Sequence, residues 1–308
     1  MIKVVCLLGP TAVGKTHLAM SLVHQFPLEI ISVDSALIYR GMDIGTAKPT
    51  PEELKQAPHH LLNILDPNQS YSAADFVKDA TRLCHEIHAR GKIPFLVGGT
   101  MMYFKALEQG LAAMPSADPS VRQQLQSRGE KEGWETLHAE LSKIDPKSAA
   151  RINPNDPQRL QRALEVFLVS GQTMTQWWEQ QSAHQEFQFV NIGLMPSDRA
   201  WLHDRIERRW KQMLDQGFEN EVRQLIARGD LSADSTSIRT VGYRQMWEYC
   251  HNEVDHNTMV QKGLVATRQL AKRQMTWLRH WPEITLLDPC DPAIADQVFN
   301  LISQALGR

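Results

Sequence analysis

Residues 9–16 read GPTAVGKT and follow the apolar run IKVVCLL. The octapeptide matches G-x-x-x-x-G-K-[ST], the loop that cradles phosphates between a strand and a helix. Its glycines let successive backbone N–H groups turn inward, and the start of the following helix adds its dipole. Lys15 supplies a mobile positive charge, and the Thr16 hydroxyl is placed to ligate Mg²⁺. Gly9, Pro10, Thr11, Ala12, Val13, Gly14, Lys15 and Thr16 are therefore the expected diphosphate-binding residues. The motif is that of nucleotide- and ATP-binding loops, yet phosphate binding does not fix a reaction. The phosphates held could be ATP's, or those of a diphosphate that leaves while its other half is transferred.

Further residues bear on that choice. The run KIPFLV ends in Gly98-Gly99, where a motor ATPase or GTPase carries an acidic residue. The carboxylate at a strand end is instead Asp34, which could hold Mg²⁺, accept a proton or cap a helix. It opens DSALIYRGMDIGTAKPT (34–50), a stretch too polar for core and long for a plain connection, as functional loops often are. Arg205 and Arg209 lie four apart on a predicted helix over 198–216, on one face. Two forked guanidinium groups there suit a diphosphate, and would equally suit solvent.

The elements that must position these groups alternate. Ile2–Leu8, EIISVD (29–34), HHLLNILD (59–66), KIPFLVGGT (92–100) and FQFVNIGL (187–194) read as extended. Helical spacing covers 15–25 and 72–91, the latter with a serine start, Phe76, Leu83 and Ile87 on one face, and Gly91 at its end. Strand–helix alternation predicts an α/β fold with a parallel sheet, whose ligands sit at the carboxyl ends of the strands. Gly9–Thr16, Asp34 and Gly98–Thr100 all fall there. From 112 to 185 the text turns polar, helical and broken by PSADPS, DPKS and NPNDP. That stretch is expected to be a helical insertion domain, with 1–111 and 186–308 forming the core. Helices are expected at 218–228, 240–250 and 257–280, then a strand at 284–288 and a closing helix to Leu306.

Of the 308 residues, 42% are hydrophobic and 22% charged, ordinary for a globular protein. No apolar stretch approaches the ~20 residues of a membrane span, and MIKVVCLLGP has no cleavage site, so a cytoplasmic protein is expected. Cys6, Cys84, Cys250 and Cys290 form no CxxC pair, against a zinc site or a disulfide framework. The net charge of −2 is poor support for a nucleic-acid partner, but residues 199–280 carry 14 Lys and Arg against 10 Asp and Glu. Within 257–280, Arg268, Lys272 and Arg279 fall within about 40° of one another on a helix, a stripe able to track a phosphate backbone or simply to face water.

The blocks GPTAVGKT, DSALIYRGMDIGTAKP, LVGGTMMYFKAL, NPNDPQRLQRALEV, RIERRWKQML, SIRTVGYRQMW and RQLAKRQMTWLR together resemble, in order and over nearly the whole chain, the bacterial tRNA dimethylallyltransferases. The resemblance implies a P-loop NTPase-like parallel sheet that does not use ATP. It implies transfer of a dimethylallyl group from dimethylallyl diphosphate to N6 of the adenosine just 3′ of the tRNA anticodon, with Mg²⁺ as cofactor. Asp34 is then the general base, and Lys15, Thr16 and Arg209 stabilise the leaving diphosphate with Arg205 beside them. Asp34, Ser35, Ala36 and Leu37 contact a flipped-out nucleotide, and Thr100 the target region. Arg122, Gln158, Arg159, Leu160, Gln161 and Arg162, with Arg239, Thr240, Val241, Gly242, Tyr243 and Arg244, hold the anticodon stem-loop. Lys272, Arg273 and Arg279 add backbone contacts. Leu37 stands where many members have Gln, which puts a polar role there in doubt. A monomer with no obligate protein partner is expected. The rival readings are a small nucleoside or nucleotide kinase, with Asp34 serving a hydroxyl, and an RNA-binding module with a vestigial loop.

Overall fold

The computed structural model describes residues 1–180 and 186–307; position 185, where the insertion is expected to end, lies outside them. Six strands make one sheet: β1 (Ile2–Leu8), β2 (Leu28–Val33), β3 (His59–His60), β4 (Ile93–Gly98), β5 (Phe187–Leu194) and β6 (Ile284–Leu287). Every pairing is parallel, in the order β3-β2-β4-β1-β5-β6. The helices are α1 (Lys15–Val23), α2 (Pro51–Gln56), α3 (Ala73–Ala89), α4 (Met101–Gln109), α5 (Pro119–Glu132), α6 (Trp134–Ile144) and α7 (Pro146–Ala149). They continue with α8 (Pro157–Ser170), α9 (Met174–Glu179), α10 (Arg199–Asp215), α11 (Phe218–Ala227), α12 (Tyr243–Cys250), α13 (His256–Arg279) and α14 (Ile294–Leu306). Two compact units result, Met1–Leu107 with Gln185–Arg308, and Glu108–His184.

A parallel sheet is covered on both faces, so its strands are apolar throughout. Alternate side chains go to opposite layers. Val4, Cys6, Leu8, Ile31, Val33 and Leu96 pack with Phe76, Leu83 and Ile87 of α3 and Phe104 of α4. Val5, Leu7, Ile30, Phe95 and Ile192 pack with Leu18 and Leu22 of α1 and with Val298 and Ile302 of α14. Burying one such large side chain contributes about 1.5–3 kcal/mol. A third core joins Ile206 and Trp210 of α10, Phe218 and Val222 of α11, Met246 of α12 and Met275 of α13 to Ile38, Tyr39 and Met42. The segment after β2 is thus packed against helices from the far end of the chain. No described helix is long and apolar enough to cross a membrane.

The expected third strand is cut short. After His59–His60, Leu61 and Asn63 take positive φ (62° and 54°), which ends regular pairing, and only an isolated bridge joins Leu65 to Tyr39. The helix expected from 240 begins at Tyr243.

The second unit is built from α5 to α9 around Leu125, Leu137, Leu141, Leu160 and Leu164. Its breaks are helix starts. In Asp118-Pro119, Asp145-Pro146 and Asp156-Pro157 the aspartate accepts a hydrogen bond from a backbone amide of the first turn and the proline opens the helix.

Candidate active site

Leu8, Gly98 and Val33 stand side by side across β1, β4 and β2. Gly9, Gly99 and Asp34 therefore leave the sheet together at its carboxyl edge. With strands ~4.8 Å apart, Asp34 departs about 10 Å from the start of the glycine loop.

The loop is wound tightly. Ala12 and Gly14 both have positive φ (63° and 103°), a conformation that glycine adopts without cost. No side chain caps the start of α1 and no acidic residue lies in its first turn, so its amides and dipole are open to an anion. The Lys15 ammonium folds back on the loop, donating to the carbonyls of Gly9 (2.9 Å) and Pro10 (2.8 Å). Desolvation pushes Lys15 down to about 7; the charge of Asp34 works against this and that of Arg209 adds to it. The Thr16 side chain is exposed at the start of α1.

Both arginines of α10 reach this edge. Arg205 Nε donates to the carbonyl of Ala12 at 2.7 Å, and its guanidinium lies over the Trp201 ring, 4.8 Å from the centroid. Arg209 donates to the carbonyl of Thr46 at 2.9 Å. Desolvation lowers the Arg209 pKa and nearby Asp34 opposes the shift. Thr11, Gly45, Arg209 and Thr267 share a small cleft with Ile206, Trp210, Met213, Val241 and Leu270, so that its walls are mixed polar and apolar.

Asp34 Oδ1 accepts from the amides of Ala36 (2.8 Å) and Leu37 (3.4 Å) and so closes a turn; it caps no helix, the next one beginning at Pro51. Its Oδ2 accepts no hydrogen bond from the described residues. Thr100 Oγ1 accepts from the Ser35 amide at 3.1 Å and lies 3.5 Å from Ser35 Oγ, which ties the Asp34 turn to the end of β4.

Two residues of this edge are not among the site residues expected from the sequence. Gln274, on α13, is 9% exposed. Its Oε1 accepts from the Thr11 amide (2.9 Å) and its Nε2 donates to the Gly99 carbonyl (2.8 Å), pinning the phosphate loop to the neighbouring turn. Glu221, on α11, accepts from the amides of Asp43 (2.8 Å), Ile44 (2.7 Å) and Gly45 (3.1 Å) and from the Tyr243 hydroxyl (2.5 Å). Both are polar side chains in helices otherwise read as amphipathic or basic, and only their distant partners distinguish them.

The expected RNA-contacting residues divide. Leu160 and Tyr243 are fully buried, Leu160 in the core of the second unit and Tyr243 against Phe218. Neither offers a surface to RNA, and this corrects the sequence expectation for these two: Leu160 and Tyr243 build core. Gly242 is buried too, at φ 96°. Gln158, Arg159, Arg239 and Arg244 are exposed, and Gln161, Thr240 and Val241 partly so. Arg122 and Arg162 both donate to Glu165, at 2.9 and 2.8 Å, and Glu165 is itself wholly buried. On α13, Lys272, Arg273 and Arg279 are exposed, whereas Arg268 is paired with Glu207 and drops out of the expected stripe.

The family described as IPP transferase matches residues 37–281, beginning just after Asp34. Three solved structures are similar over essentially the whole chain. A tRNA isopentenylpyrophosphate transferase from Bacillus halodurans is 40% identical with a TM-score of 0.74, covering 100% of this chain and 97% of that one. A tRNA delta(2)-isopentenylpyrophosphate transferase from Staphylococcus epidermidis is 31% identical with a TM-score of 0.71, covering 99% and 100%. A eukaryotic dimethylallyltransferase acting on tRNA is 26% identical with a TM-score of 0.78, covering 99% and 78%. With its P-loop NTPase-like sheet and this match over most of its length, the chain belongs to the IPP transferase family, the tRNA isopentenylpyrophosphate transferases.

Proposed function

We propose that the protein transfers a dimethylallyl group from dimethylallyl diphosphate to N6 of the adenosine immediately 3′ of the anticodon of a tRNA, forming N6-(dimethylallyl)adenosine and diphosphate. The observation that carries this reading is one sheet edge holding an uncapped glycine loop, a cleft beside it with the apolar side chains of Ile206, Trp210, Met213 and Leu270 next to Arg209, and a carboxylate with an unengaged oxygen. A diphosphate, a five-carbon chain and an N–H proton each have a chemical counterpart there.

The adenine amine is a weak nucleophile because its lone pair is drawn into the ring. The allylic carbon compensates by tolerating positive charge as its C–O bond breaks, with the electron pair leaving on the diphosphate. The N6–C bond forms, and the nitrogen becomes acidic enough for Asp34 Oδ2 to take its proton late. Lys15, the loop amides, Arg205 and Arg209 stabilise the departing charge. Thr16 suits Mg²⁺, since its hydroxyl makes no hydrogen bond to the described residues. No cluster of His, Cys, Asp or Glu able to hold a metal occurs among those residues, and Mg²⁺ on a diphosphate normally keeps one or two protein ligands, with phosphate and water completing the set. When bound it would neutralise charge on the leaving group.

The target base must leave its stack to reach Asp34. Ser35, Ala36, Leu37 and Thr100 would line its entry. Arg239, Thr240, Arg244, Lys272, Arg273 and Arg279 would hold the surrounding loop, together with Arg122, Gln158, Arg159, Gln161 and Arg162 of the helical unit. Stacking and edge contacts to a splayed strand are the usual route to RNA specificity.

The test mixes protein, Mg²⁺ and unmodified tRNA bearing adenosine after the anticodon with labelled dimethylallyl diphosphate or labelled ATP. Prenyl label entering tRNA is the expected result; phosphate moving from ATP without prenyl transfer replaces this reading with the kinase. Asp34→Asn should cut turnover on the order of 10²–10⁴-fold with tRNA affinity nearly unchanged, and a matching loss of affinity would make Asp34 a recognition residue instead.

A further inference from the structure

We propose that Glu221 is a positioning residue of the transfer site, fixing the 43–46 loop so that it aims Arg209 at the leaving diphosphate. The inference rests on the reading just given only in assigning the diphosphate to the donor substrate.

Three successive backbone amides converging on one point form a concavity that ordinarily receives an anion. Here the chain fills it with its own carboxylate. Glu221 takes the amides of Asp43, Ile44 and Gly45 and the phenol of Tyr243 on its two oxygens. Burial, and then the Glu221 charge, push the Tyr243 phenol far above its ordinary range, so Tyr243 remains a donor. With the amides turned toward Glu221, the loop presents the carbonyl of Thr46 to Arg209 at 2.9 Å. The loop is held from its other side as well. Lys48 donates to the Tyr39 carbonyl (2.7 Å), to Asp43 Oδ1 (2.6 Å) and to Asn63 Oδ1 (2.6 Å). A Cβ at Gly45 would stand 2.2 Å from the Phe218 ring and 2.7 Å from that of Tyr243, so the loop lies directly on those rings.

The choice of partner matters to Arg209. Among the described residues its guanidinium has no ion pair, and its hydrogen bond goes to a neutral carbonyl. A carboxylate in that place would orient the arginine equally well but cancel its charge. Glu221 acts instead at one remove: the negative charge is spent on loop amides, and Arg209 receives only the resulting geometry. Glu221 and Tyr243 belong to α11 and α12 and Arg209 to α10; these helices share a core, and the loop carries the hydrogen bonds that run from Glu221 to the carbonyl Arg209 meets.

Titration of inorganic pyrophosphate with Mg²⁺ into the full chain tests this by calorimetry, in the wild type, Glu221→Gln, Arg209→Ala and the double variant. Glutamine keeps the shape but turns an NH₂ group toward loop amides. Outer partners of this kind typically change affinity or activity on the order of 10–100-fold, and a loss in that range is expected for Glu221→Gln. The double variant should bind no more weakly than Arg209→Ala alone, because the two changes remove one effect. Independent, multiplicative losses would overturn the proposal, as would unchanged binding in Glu221→Gln. If Glu221→Gln does not fold, Tyr243→Phe in the same cycle decides: a smaller loss that vanishes on the Arg209→Ala background supports the link, and one that persists there refutes it. Pyrophosphate binding is read without prenyl transfer, so failure here is distinct from failure of the label assay.

Discussion

The α/β unit and the helical unit each hold a pair of arginines, in opposite ways. Arg205 and Arg209 donate to backbone carbonyls and form no ion pair among the described residues. Arg122 forks onto Glu165, and Arg162 gives one N–H to it and another to the Pro115 carbonyl; Glu165 is a carboxylate with no exposure at all. Burial pulls the Glu165 pKa upward, but hydrogen bonds from Arg162, Arg122 and the Asp118 amide outweigh it and hold the group below the ordinary carboxylate range. A carbonyl orients a guanidinium without neutralising it, which suits a site where charge develops during reaction. A buried carboxylate orients it and cancels one charge of two.

The sharpest test of this contrast is Arg209→Ala. Loss of one donor aimed at developing charge costs on the order of 10²–10³ in turnover, and tRNA affinity should be unaffected. Equal loss of turnover and tRNA affinity would erase the distinction between the pairs. Glu165→Gln should act on the other quantity. It removes the charge shared by two half-exposed arginines, so about 1–3 kcal/mol of stability should go, seen as a lower unfolding midpoint with turnover at saturating tRNA retained. Because its native pKa is depressed, the Glu165 contribution should be complete above about pH 4.5 and fade as pH falls through the lower native value; a midpoint difference that persists unchanged at pH 2 would contradict this.

Lys15 gives a smaller effect with a defined sign. Its native pKa of about 7 lies below the ordinary 10.5, so between those values the unfolded chain binds more protons and the Lys15 contribution to stability grows as pH rises. A bound diphosphate reverses the desolvation penalty and restores the ammonium. At pH 8, pyrophosphate binding should take up as much as about one proton more than it does in Lys15→Met, as read from calorimetry in buffers of different ionisation enthalpy. At pH 6 the difference should vanish, and identical buffer dependence in both proteins at pH 8 would remove Lys15 from the phosphate contact. The smallest effect concerns α13. Replacing Lys272, Arg273 and Arg279 by Gln one at a time should each lower the salt slope of tRNA binding by about 0.7. Arg268→Gln should leave the slope alone, because Glu207 already neutralises that charge.

How much of this was legible depends on range. The strand–loop–helix course through GPTAVGKT could be read because the apolar run before it and the glycines within it are local signals. The strands at 2–8, 93–98 and 187–194 and the capped helix at 73–89 follow from local apolar spacing and local end signals. The third strand was over-extended, since nothing in HHLLNILD announces the positive φ of Leu61 and Asn63. The basic stripe was overcounted, since helical spacing puts Arg268 on a face without showing that Glu207 waits opposite.

The sequence by itself determined the parallel sheet, the tight glycine loop at 9–16 and a carboxylate at a strand end, because each is encoded within a few neighbouring residues. Tertiary structure decided what surrounds them. Glu221 meets Asp43 across 178 positions and Gln274 meets Thr11 across 263. It also decided that Leu160 and Tyr243 belong to cores while their neighbours remain at the surface. Hydrogen bonds and burial of this kind depend on which helices come to lie beside a loop, and no local spacing carries that information.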